Sequence, residues 1–414
     1  MRVEIPYGED IINVELDGAR ISGILEGNDV TASNEREAVL KAIANPVNSP
    51  NLRDFLAGSG PVLCIVNDAT RPTPTTVMLE AVYDLIKPVD IRFLVATGAH
   101  RPPTEEEYLQ IFGRFYGEFK SRIYPHLSRS ENDMVYFAKS RNGTDIYLNR
   151  MVAEDRKILA ISSVEPHYFA GYTGGRKSFL PGVASYRTIE QNHRLAMSPQ
   201  SKALTLDGNP VHEDMVDTIA AIRDKAIFSI QTVLDKNQRT YTVTAGDIND
   251  SFAAAVNKAR EVFVVGIKEK TDIVVTVARN PLDIDLYQSQ KALENGKLAL
   301  KTGGILILVS RCRCGVGDDT FLNLLSTCTE YDEILKRIEK GYKLGYHKAA
   351  RMVELRQWAD IYGVTSLPAQ VVKSALITPF STLQEALDRA LTIKGKNARV
   401  LFLLDGAMTV PSIK

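Results

Sequence analysis

The chain has no excess of charge of either sign. Among its 414 residues, 50 lysines and arginines balance 50 aspartates and glutamates. Such a chain generates no overall field that would attract nucleic acid or an anionic membrane, although a local cationic pocket remains possible. It also lacks any apolar run approaching the roughly 20 residues that a membrane-spanning helix requires. The longest run, around GGILILVS, predicts a buried strand.

The chain is also poor in cysteine, and its four thiols form no disulfide framework. Cys64 lies inside the strand-like run PVLCIVND, and Cys312 and Cys314 lack a second Cys or His pair at the spacing of a zinc site. The opening stretch MRVEIPYGEDIINVELD alternates like a strand and contains early acids, unlike a signal peptide. We therefore predict a protein of the reducing cytoplasm with structural or incidental thiols.

The first part of the chain alternates strands and helices. The apolar run at 61–68 predicts a buried strand, 75–86 has the periodicity of a helix, and 90–98 predicts a second strand. Thr104 and Glu107 then form the capping box of a further helix. This β-α-β-α order predicts a parallel sheet covered by helices, with functional residues at the carboxyl ends of the strands.

A second alternating series begins near residue 272, where strand, helix and strand patterns are followed by helical stretches from about 318 to 358. The charged end of VFVVGIKEKTD (262–272) marks the boundary. We predict an α/β protein with an N-terminal domain of residues 1–266 and a C-terminal domain of residues 267–399. Each has a mainly parallel sheet flanked by helices, and residues from about 400 to 414 could return to the first domain.

The stretch EPHYFAGYTGGRKSFLPG (165–182) resembles a phosphate-binding loop in part. Gly171 lies six residues before Lys177, and Ser178 follows the lysine, as in a Walker A loop. The position before the lysine is Arg176, however, and a side chain there obstructs the wrapping of backbone amides around a phosphate. The glycines indicate a close approach of the backbone, and the Arg-Lys pair could serve an anion or provide an amine nucleophile.

Two of the six histidines follow predicted strands: His100 in ATGAHRPPT and His167 in SVEPHYFAG. Since imidazole titrates near neutral pH, such a pair could supply one base and one acid. His193, in TIEQNHRLAM, is expected near the end of a helix. The contexts of the other three, His126, His212 and His347, suggest no specific role.

Two further groups of polar residues are candidates for binding an anion. Asp68, Thr70 and Arg71 in NDATRPTPT form either a turn before a capped helix or a guanidinium site for a carboxylate or phosphate. In PLDIDLYQSQKAL, Gln288 and Lys291 are three residues apart, so they share one helical face. Tyr287 begins the same helix. That face either closes a pocket or is ordinary solvated surface.

Taken together, four segments resemble the nickel-dependent lactate racemase family, whose motifs they follow in order. They are NDATRPTPT, LVATGAHRPPTEEE, EPHYFAGYTGGRKSFLPGVASYRTIEQNH and PLDIDLYQSQKAL. The family uses a nickel-pincer nucleotide, a pyridinium mononucleotide whose two sulfur arms and ring carbon hold nickel. The resemblance implies that the N-terminal domain binds this cofactor and that the active site lies between the domains. It also implies that cofactor-synthesis proteins act as partners.

The resemblance also implies roles for single residues. Lys177 would link to a thiocarbonyl arm of the cofactor, and His193 would complete the nickel coordination. Further residues at the cofactor would be Asp68, Thr70, Gly174 and Gly175. His100 and His167 would be the acid/base pair. The 2-hydroxy acid substrate would meet Arg71, Tyr287, Gln288 and Lys291.

The implied chemistry accounts for this set of residues. A square-planar nickel site with three cofactor donors needs only one protein imidazole. A racemase handles both hands of its substrate, so it needs a proton acceptor on each side of the 2-carbon. One histidine takes the hydroxyl proton while the hydride passes to the cofactor, and the second serves the opposite hand. Arg71 and Lys291 would hold the carboxylate while the keto group turns.

The chain departs from the lactate enzymes near the variable end of the substrate. Ala69 replaces a common histidine, Ala278-Arg279-Asn280 replaces a glycine and an aromatic residue, and Tyr346-His347 replaces a tryptophan. These changes leave lactate, malate, aromatic hydroxy acids and sugar acids as possible substrates, and Arg279 could meet a second carboxylate or hydroxyls. The alternatives are a P-loop-like nucleotide-binding kinase or hydrolase, and a cofactor carrier without turnover.

Overall fold

The computed structural model describes residues 1–58, 60–328 and 330–413. Its strands, in chain order, are β1 (Arg2–Tyr7), β2 (Asp10–Glu15), β3 (Ile21–Leu25), β4 (Val62–Asn67), β5 (Ile91–Ala96), β6 (Ile123–Pro125), β7 (Met134–Lys139), β8 (Asp145–Asn149), β9 (Lys157–Ser163), β10 (Pro166–His167), β11 (Gly171–Tyr172), β12 (Ala226–Leu234), β13 (Thr240–Gly246), β14 (Val264–Ile267), β15 (Thr271–Val277), β16 (Leu300–Val309), β17 (Asp360–Val364), β18 (Thr378–Pro379), β19 (Val400–Leu403) and β20 (Val410–Ile413).

The α-helices, in chain order, are α1 (Glu35–Ala44), α2 (Leu52–Leu56), α3 (Thr75–Ile86), α4 (Glu105–Phe112), α5 (Phe115–Phe119), α6 (Arg150–Glu154), α7 (Tyr186–Arg194), α8 (Pro210–Ala221), α9 (Ile248–Phe263), α10 (Leu286–Gly296), α11 (Asp319–Thr327), α12 (Tyr331–Lys340), α13 (Tyr346–Arg356), α14 (Ala369–Ser374) and α15 (Leu383–Lys394). Among the residues described, none of these helices has the length and apolar character needed to cross a membrane.

The unit Asp29–Val262 is built on a six-stranded sheet of order β13-β12-β9-β4-β5-β6. All neighbouring strands pair in parallel except β12 and β13, which are antiparallel. Val62, Cys64 and Val66 of β4 point into the core formed with α1 and α3, and the intervening residues are buried on the opposite face. A strand buried on both faces explains the continuous apolar run that predicted it.

The unit Met1–Asn28 with Phe263–Lys414 contains a second six-stranded sheet, of order β18-β17-β16-β15-β19-β3, and all of its pairings are parallel. Its core joins alternate residues of β15 and β16 to the apolar face of α15 and to the β1–β2 hairpin. The α/β class with mainly parallel, helix-covered sheets is thereby confirmed.

The division into units differs from the predicted domains at both ends of the chain. It falls between Val262 and Phe263, close to the predicted boundary, but residues 1–28 belong with the C-terminal part. The reason is that β3 and β15 flank β19, and β20 pairs with β14, so the C-terminal strands pair inside this unit and not with the sheet of residues 29–262. Pairing between strands from opposite ends of the chain leaves no local signal in the sequence.

Candidate functional site

Three predicted site residues follow adjacent strands of the first sheet. Asp68 comes directly after β4, His100 follows β5, and His167 follows β9, and these strands are neighbours in the order β9-β4-β5. The Thr73 hydroxyl donates to Asn67 Oδ1 at 2.7 Å and lies 3.0 Å from Ser163 Oγ, which ties the end of β4 to the end of β9. Strand order therefore collects these residues at the carboxyl edge of one sheet.

Asp68 and His100 form a carboxylate–imidazole pair. His100 Nδ1 lies 2.8 Å from Asp68 Oδ2, while Asp68 Oδ1 accepts the Thr70 hydroxyl at 2.7 Å and the Thr70 N–H at 3.2 Å. Burial alone would raise the pKa of Asp68, but the hydrogen bonds from His100 and Thr70 and the charge of half-buried Arg71 outweigh it and lower this pKa. An ionised carboxylate at Nδ1 holds the proton there, so His100 presents the lone pair of Nε2.

His167 is set in the opposite tautomer. It lies in the short hairpin of β10 and β11, and its Nδ1 accepts the Ala170 N–H at 3.3 Å. A backbone N–H can only donate, so the neutral ring must carry its proton on Nε2. The neutral forms of His100 and His167 thus present a proton acceptor and a proton donor, respectively.

The Phe169 ring brings together the remaining catalytic and cofactor candidates. Its centre lies 4.6 Å from that of His167, 5.1 Å from that of His193 and 5.9 Å from Lys177 Nζ. Phe169 itself is 2% exposed. The aromatic pair in EPHYFAG carries no recognisable functional signal of its own in the sequence. The position of Phe169 two residues after His167 was the available signal.

The backbone also connects the lysine turn to the loop of His100. Gly182 donates its N–H to the Lys177 carbonyl at 3.1 Å, and its own carbonyl accepts the Gly98 N–H at 2.9 Å. Gly98 is two residues from His100. His193 lies in the last turn of α7, as expected from the sequence. Two hydrogen bonds and one aromatic ring therefore connect the segments that hold both histidines of the proposed acid/base pair, the lysine and His193.

The glycines of the turn are required for contacts within the protein. Gly174 has φ +82°, and a Cβ there would lie 2.5 Å from Val164 Cγ2 and 2.7 Å from the Ser163 carbonyl. A Cβ on Gly171 would lie 2.3 Å from the Thr205 carbonyl, and one on Gly175 would lie 3.0 Å from the ring of Phe252. Close packing against the protein's own chain accounts for the glycine pattern, and contact of Gly174 and Gly175 with a cofactor stays a prediction.

Arg176, which precedes Lys177, is held by contacts with two neighbouring helices. Arg176 donates to Asn249 Oδ1 at 3.0 Å, places Nη1 3.1 Å from His212 Nε2, and lies over Phe252 at 5.0 Å. Burial, together with the Arg176 charge, lowers the pKa of His212 to about 3. These contacts of Arg176 hold the turn against α8 and α9.

The turn also lacks the helix of a Walker A loop. Residues Gly175–Ser178 form a single 3₁₀ turn, and the next helix begins at Tyr186. A P-loop combines its backbone amides with the N-terminus of the helix that follows directly. This geometry, with Arg176 bonded to protein partners, disfavours the nucleotide-binding alternative.

The surroundings of Lys177 fit a covalently held organometallic group. Lys177 is 8% exposed beside an aromatic ring, and the Ser178 hydroxyl, buried next to it, has no hydrogen-bond partner among the described residues. Buried hydroxyls are normally satisfied, so this one favours an additional polar partner. A buried amine and a half-buried imidazole around Phe169 match a group that requires one tether and one nitrogen ligand.

In the other unit, α10 presents the predicted substrate residues on one face. Tyr287, Gln288 and Lys291 are half-buried, whereas the remaining residues of this helix are buried. The Asp285 carboxylate caps the helix by accepting the Gln288 N–H at 2.6 Å. The shared face of Gln288 and Lys291 is confirmed, and their contact with a substrate stays a prediction.

The residues that depart from the family pattern have partners of their own. Arg279 Nη1 lies 3.8 Å from Glu26 Oε2 and interacts with the Asp405 carboxyl, whose pKa burial raises to about 6. His347 Nδ1 lies 2.7 Å from the Tyr342 hydroxyl. Ala69 packs against the core of its unit. The charge of Arg279 is thus offset by nearby acids.

The thiols and the remaining core histidine have structural positions. All four cysteines are free; Cys312 is buried and Cys314 is exposed. His126 is fully buried, with Nε2 2.8 Å from the Ala184 carbonyl and Nδ1 3.2 Å from Asn149 Nδ2. Burial lowers the pKa of His126 to about 4.

Residues 1–58, 60–328 and 330–413 contain no cluster of three or more His, Cys, Asp or Glu side chains arranged for a metal ion.

Comparison with known proteins identifies a lactate racemase both by sequence and by structure. Residues 7–204 match the lactate racemase N-terminal domain, and residues 267–410 match the lactate racemase C-terminal domain. The lactate racemase of Lactiplantibacillus plantarum is 30% identical over 98% of this chain and 98% of its own length. That of Thermoanaerobacterium thermosaccharolyticum is 28% identical over 99% of this chain and 98% of its own.

The solved structures with similar folds include the following two. The lactate racemase apoprotein from Thermoanaerobacterium thermosaccharolyticum superposes with a TM-score of 0.93 at 28% identity, covering 100% of both chains. A Thermotoga maritima protein has a TM-score of 0.70 at 17% identity, covering 94% of this chain and 100% of its own. The second likeness concerns the fold alone.

Proposed function

Because the chain belongs to the lactate racemase family, an isomerase family, we propose that it inverts the 2-carbon of a 2-hydroxy acid through transient oxidation to the 2-keto acid. The observation that supports this most directly is the grouping of His167, Lys177 and His193 around Phe169. This grouping provides acid/base, tether and metal-ligand chemistry in one place.

Lys177 and His193 are the residues proposed to hold a nickel-pincer nucleotide. Lys177 would form the covalent link, and His193 would donate a ring nitrogen to nickel. When bound, this cofactor supplies a reversible acceptor for the hydride of the 2-carbon. Phe169 closes one side of the site with an apolar surface, which excludes water from the reacting atoms.

The two histidines handle the proton of the substrate hydroxyl. For one hand, His100 accepts this proton at Nε2, and the Asp68 carboxylate stabilises the imidazolium that forms. For the other hand, His167 must accept at Nε2, which requires its own proton to move to Nδ1. The hydrogen bond that this shift breaks, from Ala170, is long at 3.3 Å and therefore weak. Each histidine is thus able to serve as the base.

The substrate carboxylate is assigned to cations at two predicted positions. Arg71, which follows Asp68, and Lys291 of α10 would bind it, with Tyr287 and Gln288 beside them. Their meeting at one substrate rests on the family resemblance. Arg279 is already offset by Glu26 and Asp405, so we do not expect it to select a second carboxylate.

The proposal is tested with protein produced together with the cofactor-synthesis proteins. Intact mass should show a covalent adduct, and metal analysis should show nickel in the same sample. A panel of lactate, malate, aromatic hydroxy acids and sugar acids, followed by chiral chromatography, should then identify racemised or epimerised substrates. If malate were inverted faster than every other acid in the panel, the expectation that Arg279 does not select a second carboxylate would be wrong.

Other outcomes of the same experiment identify the alternatives. A nickel-loaded protein that inverts no acid in the panel would be a cofactor carrier or binding protein without turnover. Binding of ATP and magnesium without nickel would support the nucleotide-binding alternative. Either result would overturn the proposed racemase activity.

A further inference from the structure

A buried lysine lies directly beneath the predicted substrate face of α10. Lys348, in the first turn of α13, is 2% exposed. Its Nζ donates a hydrogen bond to the Tyr287 carbonyl and lies 4.1 Å from the centre of the Tyr287 ring. One buried amine therefore contacts both the backbone and the side chain of the first residue on that face.

Two further polar contacts join the same helices. Gln290 Nε2 donates to the Lys348 carbonyl at 2.8 Å, and Arg351 Nη1 lies 2.7 Å from Glu294 Oε2. All four of these side chains are buried. Because Tyr287, Gln290 and Glu294 recur at helical spacing, the contacts lie along one side of α10, which is thereby fixed against α13.

Lys348 is an unfavourable choice for simple packing. Burial lowers its pKa well below the ordinary value, and the charges of Lys291 and Arg351 act in the same direction, whereas Asp285 and Glu294 oppose them. An apolar side chain of similar length, such as methionine, would fill the space without the cost of burying an amine. The presence of lysine therefore indicates a function that methionine would not perform.

We propose that Lys348 is a positioning residue for the substrate, holding Tyr287 and the first turn of α10 so that Gln288 and Lys291 project at a fixed angle. This inference rests on the proposed function, because it presumes that this face of α10 binds the 2-hydroxy acid. Lys348 need not touch the substrate. It acts through the Tyr287 carbonyl, which is also the helical acceptor position for the Lys291 N–H.

The test compares Lys348→Met and Lys348→Arg with Lys297→Met. Lys297 provides a matched control because its ammonium pairs with Glu294 at 2.8 Å, at the end of α10 remote from Tyr287. In the cofactor-loaded enzyme, Lys348→Met should raise KM for the preferred acid about tenfold with a smaller change in kcat. It should also remove from the pH profile of KM an ionisation below the ordinary lysine range. In Lys348→Arg, which keeps a hydrogen-bond donor, KM should rise less than in Lys348→Met.

Hydrogen exchange supplies a readout that does not depend on turnover. In Lys348→Met, amides of residues 287–291 should exchange about tenfold faster, while the same amides in Lys297→Met should be unchanged. A KM within twofold of the wild type, or unchanged exchange in this turn, would overturn the role of Lys348. A wild type that inverts no acid, with exchange changed as expected, would instead refute the proposed function. If Lys348→Met does not fold, Lys348→Leu, which also lacks a hydrogen-bond donor, takes its place in both measurements, with the same criteria.

Discussion

Replacement of Asp68 by asparagine should impair proton transfer by His100 through a change of tautomer. The backbone N–H of Thr70 can only donate, so the amide oxygen of the new side chain would occupy the place of Asp68 Oδ1. The amide NH₂ would then face His100 Nδ1, which lies 2.8 Å from the present Oδ2. With a donor at Nδ1, the imidazole must carry its proton on Nε2, where it can no longer accept one from the substrate.

The size of this effect follows from the lost interactions. A hydrogen bond to a charged group contributes about 1.5–3 kcal/mol, which corresponds to roughly 10- to 150-fold in rate. Blocking the productive tautomer adds to this loss, and in a hydrolase triad the equivalent change costs roughly 10⁴ in kcat. The His100 side chain is 45% exposed, so water partly relieves both effects. We therefore expect a loss of roughly 10²–10³ for the hand that His100 serves.

The assay is single-turnover oxidation of each hand of the preferred acid to its keto acid by the cofactor-loaded enzyme. One hand should slow by the expected factor, whereas the other should change much less. Two enantiomers have equal free energies, so the equilibrium between them fixes the ratio of their kcat/KM values. At steady state any variant therefore lowers both values by the same factor, and only the single-turnover measurement distinguishes the two hands. Intact mass establishes that both proteins carry the same fraction of adduct.

Asp155→Asn provides the matched control. Asp155 is a fully buried aspartate that pairs with Arg92 at 2.8 Å and precedes β9 at the amino edge of the same sheet. This substitution should lower the melting temperature while leaving both single-turnover rates within about twofold. Retention of wild-type rates for both hands in Asp68→Asn, with the adduct present, would refute the assignment of Asp68 and His100.

Three further predictions concern the turn that carries the lysine. Gly174→Ala should destabilise the protein by at least about 2 kcal/mol in urea, because it combines positive φ with a Cβ 2.5 Å from Val164; Gly208→Ala, at φ +73° in open space, should show only the backbone contribution. Because the pKa of His212 is lowered to about 3, its contribution to stability should fall as pH drops below the unfolded value near 6.5, by up to about 1.4 kcal/mol per pH unit. His212→Gln should flatten this slope between pH 4.5 and 6.5, and an unchanged slope would contradict the assignment. Lys177→Ala should fold and yet show no covalent adduct by intact mass, and persistence of the adduct would reject the tether.

Much of the fold was predictable because its signals are local. Apolar runs marked the strands buried on both faces, and the helix at 75–86 was observed with the expected bounds. Thr104 and Glu107 form the predicted capping box. The spacing of Gln288 and Lys291 correctly placed both on one helical face. In each case, neighbouring residues determine backbone geometry or burial through interactions that span only a few positions.

The candidate site was predictable only in part. Strand-end position selected His100 and His167 as candidates, and resemblance to a family supplied the proposed roles of Lys177 and His193. Phe169 was missed because an aromatic residue close to a histidine in the sequence is common, and only folding shows that its ring also contacts Lys177 and His193.

The sequence by itself determined the α/β class, the positions of several helices and strands, and the residue types available for chemistry. Tertiary structure alone decided that β3 and β15 enclose β19, that Arg176 bonds to Asn249 rather than to a phosphate, and that the two proposed acid/base histidines have opposite tautomers. The physical reason is distance along the chain. Periodicity and capping act between near neighbours, whereas these outcomes depend on partners that only packing brings within reach of a hydrogen bond.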